Sequence, residues 1–499
     1  MTIVRRLGIV AAVLVPAWAA VAQEGVVESF VLGKKVSPYS WGVAAPGSGV
    51  AAALFARVGL GYETNVFDAA SVFDPDPQGA ELVRHLPTEV NIPREDMLIP
   101  AVVGAEMSAR FARKHSLRLI LAGQLNRYFE EELASRAAFD AFLAYRFDIG
   151  ERVRLDWESQ LDRHSGTSTY MTGIPAIINL DDFWHIENSL HLRFETVTAP
   201  WIGRGTTELM GQIRTRNYDP ANLDASFELG DTTLRVGDLM SVSLNDSLEQ
   251  DYTQYRVRLR QLQGLWYGIS MRLAGDYIYR RYDQLHAKMT EYSLGEIPLD
   301  RDGEPQSPNR SQHEVRLYGG LQYDPPHLND MRISVGLEGI FITDPYQDFY
   351  GYDQWGIKVS AYYRPKDNPL RHLSLSLASK RRTWHELKAN YYYGADQPET
   401  TPINETSSPI IAPDRDNGES TENADGTYDW SFVETPLRTE YFELSLGGQV
   451  PLPRLVALWA LYTIDIRSTN RLSTEYYSRE YFNQSISAGL TVFVDVLGR

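Results

Sequence analysis

Arginine is the residue whose spacing carries the most chemistry in this chain. It recurs at every second position in Arg152 and Arg154, Arg214 and Arg216, and Arg256, Arg258 and Arg260, with Arg193, Arg272, Arg316 and Arg332 in similar alternation. Lys358, Lys380 and Arg382 extend the set. A period of 2 places such side chains on one face of a strand, and rows of guanidinium groups in a water-filled lumen favour anions. Carboxylates occupy the same face, including Glu106, Asp156, Glu158, Glu195, Glu208, Asp276, Glu314 and Glu338. Cross-strand ion pairing is therefore an equal reading of the pattern, and it would give a wall with little selectivity.

Signals for covalent chemistry are poor. The absence of cysteine excludes disulfide scaffolds, Cys-ligated metal sites and thiol catalysis. His385-Glu386-Leu387-Lys388-Ala389 lacks the second histidine of a zinc-protease helix, and Gly47-Ser48-Gly49 neither follows a strand nor opens a helix. His191, at an alternating polar position, and His164, near a strand end, are the histidines to follow for a hydrolase built at the outer rim. Their plainer reading is a polar wall. No catalytic residue, cofactor or metal is assigned, and no enzyme is expected. The stretch from Ala395 to Glu434 carries ten carboxylates against Arg415 and reads as an external, hydrated loop. Its Asp414-Arg415-Asp416-Asn417-Gly418 segment is close to a calcium loop, but the glycine comes one place early and no glutamate closes the frame.

The elements that must hold these side chains are strands. Val153, Leu155, Trp157, Ser159 and Leu161 alternate with Arg154, Asp156, Glu158, Gln160 and Asp162, and the same division recurs along the chain. Segments of this kind fall near 54–67, 101–112, 117–129, 138–148, 151–162, 186–197, 206–216, 253–261, 266–281, 313–323, 331–342, 354–363, 372–382, 438–449, 455–466 and 484–496. They are about twice the usual five or six residues of a soluble strand. Tight turns are expected at Arg113 to Ser116, Ile149-Gly150, Gln261 to Gly264, Asp324 to Asp330, Arg364 to Leu370 and Val450 to Arg454, with long polar connections between them. Tyr145, Phe147, Trp157, Trp266, Tyr267, Tyr277, Tyr279, Tyr323, Trp355 and Tyr363 sit toward strand ends, where amphipathic rings favour the headgroup level.

The 499 residues carry 48 Lys+Arg against 65 Asp+Glu, a net charge of −17 that argues against a nucleic-acid partner. Arg5 and Arg6, the apolar stretch Leu7 to Val21 and Ala20-Val21-Ala22 have the three parts of a cleavable secretory signal. The expected organisation is a signal peptide over 1–22, a short periplasmic leader over 23–50 and a barrel over 51–499. The fold class is all-β: a transmembrane antiparallel up-and-down β-barrel of about sixteen strands in the bacterial outer membrane, with short periplasmic turns and long external loops.

The first strand, Val58-Gly59-Leu60-Gly61-Tyr62-Glu63-Thr64-Asn65-Val66-Phe67, resembles the G-Y-D/E-S/T-N-V-F opening of an outer-membrane porin-like β-barrel family, some of whose members are associated with exopolysaccharide systems. The resemblance implies a channel or export conduit. Ser485 to Val496 resembles the closing strand read by the barrel assembly machinery, although the chain ends Val496-Leu497-Gly498-Arg499 and not on an aromatic residue. The expected partners are outer-membrane lipid, the assembly machinery, a small polar or anionic solute or a polysaccharide, and a possible homo-oligomer. The expected function is porin-like passage of that solute. Export of an exopolysaccharide with periplasmic partners, with Tyr128, Tyr318 and Tyr362 stacking on sugars, is one alternative, and a sealed structural or adhesive surface barrel is another. Leu119→Arg or Leu155→Arg is expected to damage assembly.

Overall fold

A computed structural model of the chain describes residues 49–64, 95–111, 114–130, 135–166, 183–196, 203–218, 226–229, 232–235, 251–286, 309–325, 330–343, 351–363, 372–388, 418–422, 428–432, 436–452, 456–469 and 481–497. The signal sequence, nearly all of the leader and the calcium-like Asp414 to Asn417 segment lie outside these residues.

The first half of the wall is β1 (Gly49–Glu63), β2 (Asp96–Phe111), β3 (His115–Tyr128), β4 (Arg136–Ile149), β5 (Val153–Gly166), β6 (Phe183–Thr196) and β7 (Gly205–Tyr218). Two short strands, β8 (Ser226–Leu229) and β9 (Thr232–Arg235), form a separate hairpin. The wall resumes with β10 (Tyr252–Gly264), β11 (Ile269–His286), β12 (Asn309–Tyr323), β13 (Met331–Thr343), β14 (Tyr352–Tyr363) and β15 (His372–Lys388). A second hairpin, β16 (Gly418–Glu422) with β17 (Tyr428–Phe432), precedes β18 (Pro436–Pro451), β19 (Val456–Thr469) and β20 (Tyr481–Leu497).

Sixteen of these strands form one closed antiparallel barrel, each paired with its sequence neighbour in the wall and β20 returning to β1. Every expected strand is present. Closure follows from the backbone: each N–H and C=O in a spanning sheet must find a partner within the sheet, and only a sheet without edges achieves this. Strands of 12 to 18 residues are long enough to cross with a tilt and to project beyond the bilayer. Among the described residues no helix is long and apolar enough to cross a membrane.

Two local expectations need correction. Gln261 to Gly264 is not a turn, because β10 continues through Gly264 and pairs with both β7 and β11. Gln261 donates to Thr196 Oγ1 at 3.1 Å and Gln263 donates to the Gly203 and Gly264 carbonyls, so these glutamines are held within the ladder. The reversal lies at Trp266 to Ile269, where Tyr267 and Gly268 both have positive φ, 48° and 79°. That is the backbone of a type I′ turn, whose twist matches the flanking strands. Part of the acidic stretch, expected as loop alone, pairs as the β16–β17 hairpin.

Candidate functional site: a charged lumen wall

The outer face is apolar. Leu190, Leu209, Val257, Leu259, Leu317 and Leu337 are exposed at mid-wall, with Leu337 at 60%. Aromatic rings bracket this band. At the short-turn end the His115 ring stacks on Phe111 and Phe147 at 5.4 and 4.8 Å, and its Nδ1 lies 2.6 Å from the Tyr145 hydroxyl. At the long-loop end Tyr279 packs on Tyr255 and His313, while Trp355 meets Phe341 edge-on at 5.1 Å. Such girdles suit the two headgroup layers.

The inner face is polar and ion-paired. On the adjoining strands β7, β10 and β11, the inward set holds Arg214, Arg216, Arg256, Arg258, Arg260, Arg272 and Arg280 against only Glu208 and Asp276. Both carboxylates are shared. Asp276 takes Arg256 Nη2 at 2.5 Å and Arg258 Nε at 2.6 Å. Glu208 takes Arg193 Nε at 2.6 Å and faces Arg260 Nη1 at 3.7 Å. On β4 to β6 the balance reverses, with Arg136, Arg146, Arg154 and Arg193 among Asp140, Asp148, Asp156, Glu158, Asp162, Glu187 and Glu195. A basic stripe thus adjoins an acidic one, joined by Arg193 to Glu208 at 2.6 Å and by Arg214 to Glu187 at 2.9 Å.

Most residues singled out from the sequence lie on this face. Arg154 pairs with Asp148 at 2.8 Å, Asp156 with Arg146 at 2.7 Å, and Arg316 with Glu314. Glu158 approaches His191 at 3.6 Å. Glu195 lies on the same inward register at the exposed lower end of β6. Arg152 does not belong to the wall: it stands in the turn after Gly150, exposed, with its carbonyl accepting the Glu195 N–H at 2.9 Å. The residue after a glycine turn must start the next strand before it can take a face, and β5 starts one residue later.

Of the aromatic residues facing inward near the outer mouth, Tyr128 was a sequence candidate, whereas Phe183, Tyr252, Tyr352, Trp384 and Tyr441 were not. Arg216 lies over Phe183 at 4.3 Å, and Arg280 over Tyr252 at 4.7 Å. Across the barrel Arg382 lies over Tyr352 at 4.0 Å and within 5.3 Å of both Tyr441 and Trp384. These are cation–π contacts that hold each guanidinium against the wall. Alternation assigns these rings to the inner face, but only register brings them beside an arginine.

Ser189, His191 and Glu208 stand in the order of a nucleophile, base and acid, with Ser189 Oγ 3.0 Å from His191 Nε2 and His191 Nδ1 3.3 Å from Glu208. Their setting is nonetheless that of the wall, since Glu208 already serves two arginines and Glu158 approaches the same Nε2. Backbone N–H groups here belong to the β5–β6–β7 ladder, so none is supplied for an oxyanion.

No family model and no curated protein sequence matches the chain. Solved barrels align along most of it at low identity. OmpT of Vibrio cholerae is 7% identical over 89% of this chain and 97% of its own, with a TM-score of 0.36. OccK2 of Pseudomonas aeruginosa is 9% identical over 90% and 98%, with a TM-score of 0.36. An anion-selective porin from Comamonas acidovorans is 9% identical over 90% and 100%, with a TM-score of 0.35. At this depth the matches carry nothing about cargo. The closed sixteen-stranded wall, with its apolar band between aromatic girdles, places the protein in the bacterial outer membrane.

Proposed function

We propose that the barrel is a porin-like channel for small polar solutes, with a preference for anions. The observation that carries this reading is the sharing of Asp276 and Glu208 among four arginines, which leaves β7, β10 and β11 with more cationic than anionic groups. An anion passing this stripe meets guanidinium groups already fixed in place, so attraction needs little side-chain ordering. A barrel of sixteen strands is wide enough for a water-filled passage. The chemistry required of the wall is attraction and release, without a covalent step.

The arginine-backed rings at the outer mouth favour a second reading, a conduit for an exopolysaccharide, because Tyr352, Trp384 and Tyr441 form a partly apolar patch for sugar rings. This would join the first-strand resemblance to its exopolysaccharide-associated members.

The deciding experiment is planar-bilayer recording of the purified barrel in a salt gradient. Stable conductance with an anion-directed reversal potential is expected, and replacing Arg256, Arg258 and Arg260 together by Gln should bring that potential toward zero. An inserted but silent barrel would sink the open-channel reading and favour a partner-gated conduit. Conductance with unchanged selectivity in the triple variant would sink the role of the stripe.

A further inference from the structure

Near the outer mouth, on the acidic side of the lumen, Asp140 of β4 and Asp162 of β5 face each other directly across the ladder. Both are almost fully buried, at 2% and 0% exposed. Like charges directly opposite on one face of an antiparallel pair repel, and burial sharpens the demand for a positive partner. His164 joins them from two residues farther along β5. One ligating atom from each of Asp140, Asp162 and His164 lies within 4.8 Å of the others.

The Asp162 carboxylate is held in an unusual way. Its Oδ2 accepts Gln160 Nε2 at 2.8 Å and lies 3.1 Å from Nδ1 of the fully buried His185. Its Oδ1 has no hydrogen-bond partner among the described residues, although the side chain is fully buried. One oxygen is anchored and the other carries no hydrogen bond among the described residues. The His164 ring is also fixed, stacked on Phe183 with centroids 4.5 Å apart and planes 18° from parallel. Arg216 lies over the same Phe183 ring, with its guanidinium 4.3 Å from the centroid, and Arg136 shares the inner register of β4.

We propose that Asp140, Asp162 and His164 bind one divalent transition-metal ion that bolts β4 to β5 below the outer mouth. Metal–ligand bonds of about 2.0–2.2 Å leave ligand atoms up to about 4.4 Å apart, so a small inward rotation of side chains closes the site. Two carboxylate oxygens and an imidazole nitrogen suit zinc or its first-row neighbours, whereas calcium and magnesium take oxygen donors. His185 and Gln160 are positioning residues that orient the Asp162 carboxylate. Three protein ligands leave a coordination position for water. The inference stands apart from the channel reading, because a sealed barrel could hold the same ion.

The test is zinc titration of the full-length, EDTA-stripped barrel in detergent by calorimetry, with folding monitored by heat-modifiable migration. One zinc per barrel is expected, with a rise in unfolding temperature. Asp162→Asn and His164→Gln should each weaken binding at least tenfold and remove the thermal shift, while His185→Gln should weaken it about 10- to 100-fold through the carboxylate it supports. X-ray absorption at the zinc edge of the unaltered protein should show one imidazole among oxygen ligands, which decides the matter even if a variant fails to fold. No stoichiometric binding would overturn the proposal. So would zinc binding that survives intact in a folded Asp162→Asn barrel, since the ion would then sit on surface histidines such as His115 or His313.

Discussion

The wall has two arcs built on the same backbone and filled in different ways. From β4 to β11 the inner face is a continuous mesh of arginines and carboxylates in which several groups serve two partners. From β13 to β20 much of the inner face is hydroxyl, with Ser334 on Ser360 at 2.8 Å, Thr463 on Ser485 at 2.7 Å, and Ser376, Ser445 and Ser487 between. Its charges are fewer and more local, such as Lys380 with Glu443 at 2.5 Å. A hydroxyl can turn to water or to a neighbour with little loss, whereas a shared carboxylate cannot be removed without stranding two cations. The first arc is coupled and the second is modular.

The strongest challenge to this contrast comes where the modular arc meets β1. Gly59 and Gly489 are directly paired there, and a Cβ on Gly489 would fall on backbone atoms of Val58 and Gly59. Gly489→Val should therefore prevent closure altogether, read as loss of the heat-modifiable band. Next in size is a charge on the lipid face. Leu259→Arg behind the coupled arc and Leu446→Arg behind the modular one should each cost about 2–4 kcal/mol and lower assembled yield alike; a difference between them would show that the inner face governs the outer. Leu155 lies near the short-turn end of β5, so Leu155→Arg should cost less than either.

Inside the lumen the two arcs should diverge. Asp276→Asn leaves Arg256 and Arg258 without their common anion and is expected to cost about 1.5–3 kcal/mol in denaturant unfolding. In the same bilayer recording it should shift selectivity further toward anions. Ser445→Ala, on the modular side, should stay within about 0.5 kcal/mol and leave the reversal potential unchanged. Equal effects from these two substitutions would erase the distinction.

The architecture was legible in the sequence because one rule, apolar and polar alternation, repeats across most of the wall strands. Val153 to Asp162 sorts into two faces without any knowledge of neighbours, and the structure keeps the sorting. Turns were less legible. Gln261 to Gly264 has turn-like composition, yet its glutamines are claimed by Thr196 on β6 and by Gly203 just ahead of β7, which no local reading can see. The two small hairpins are only four or five residues per strand, too short for periodicity to register. Pairing was the hardest. Alternation places Arg258 and Asp276 on inner faces, but whether they meet depends on the stagger of β10 against β11, a property of the whole cylinder. The Asp140, Asp162 and His164 group was hidden for the same reason, although His164 itself had stood out.

The seam between β1 and β20 also dictates a history. Arg57 donates to Thr491 Oγ1 at 3.2 Å across a separation of 434 positions, and its guanidinium lies 5.0 Å from the Trp459 ring centroid. Neither contact can form until nearly the whole chain has left the ribosome. Loop-closure entropy makes so distant a contact late in folding. Until then β1 offers a bare edge of hydrogen-bonding groups that other chains can pair with. For this cylinder, the last event of folding is the meeting of its first strand with its last, and the time spent waiting for it is when the chain most needs an escort.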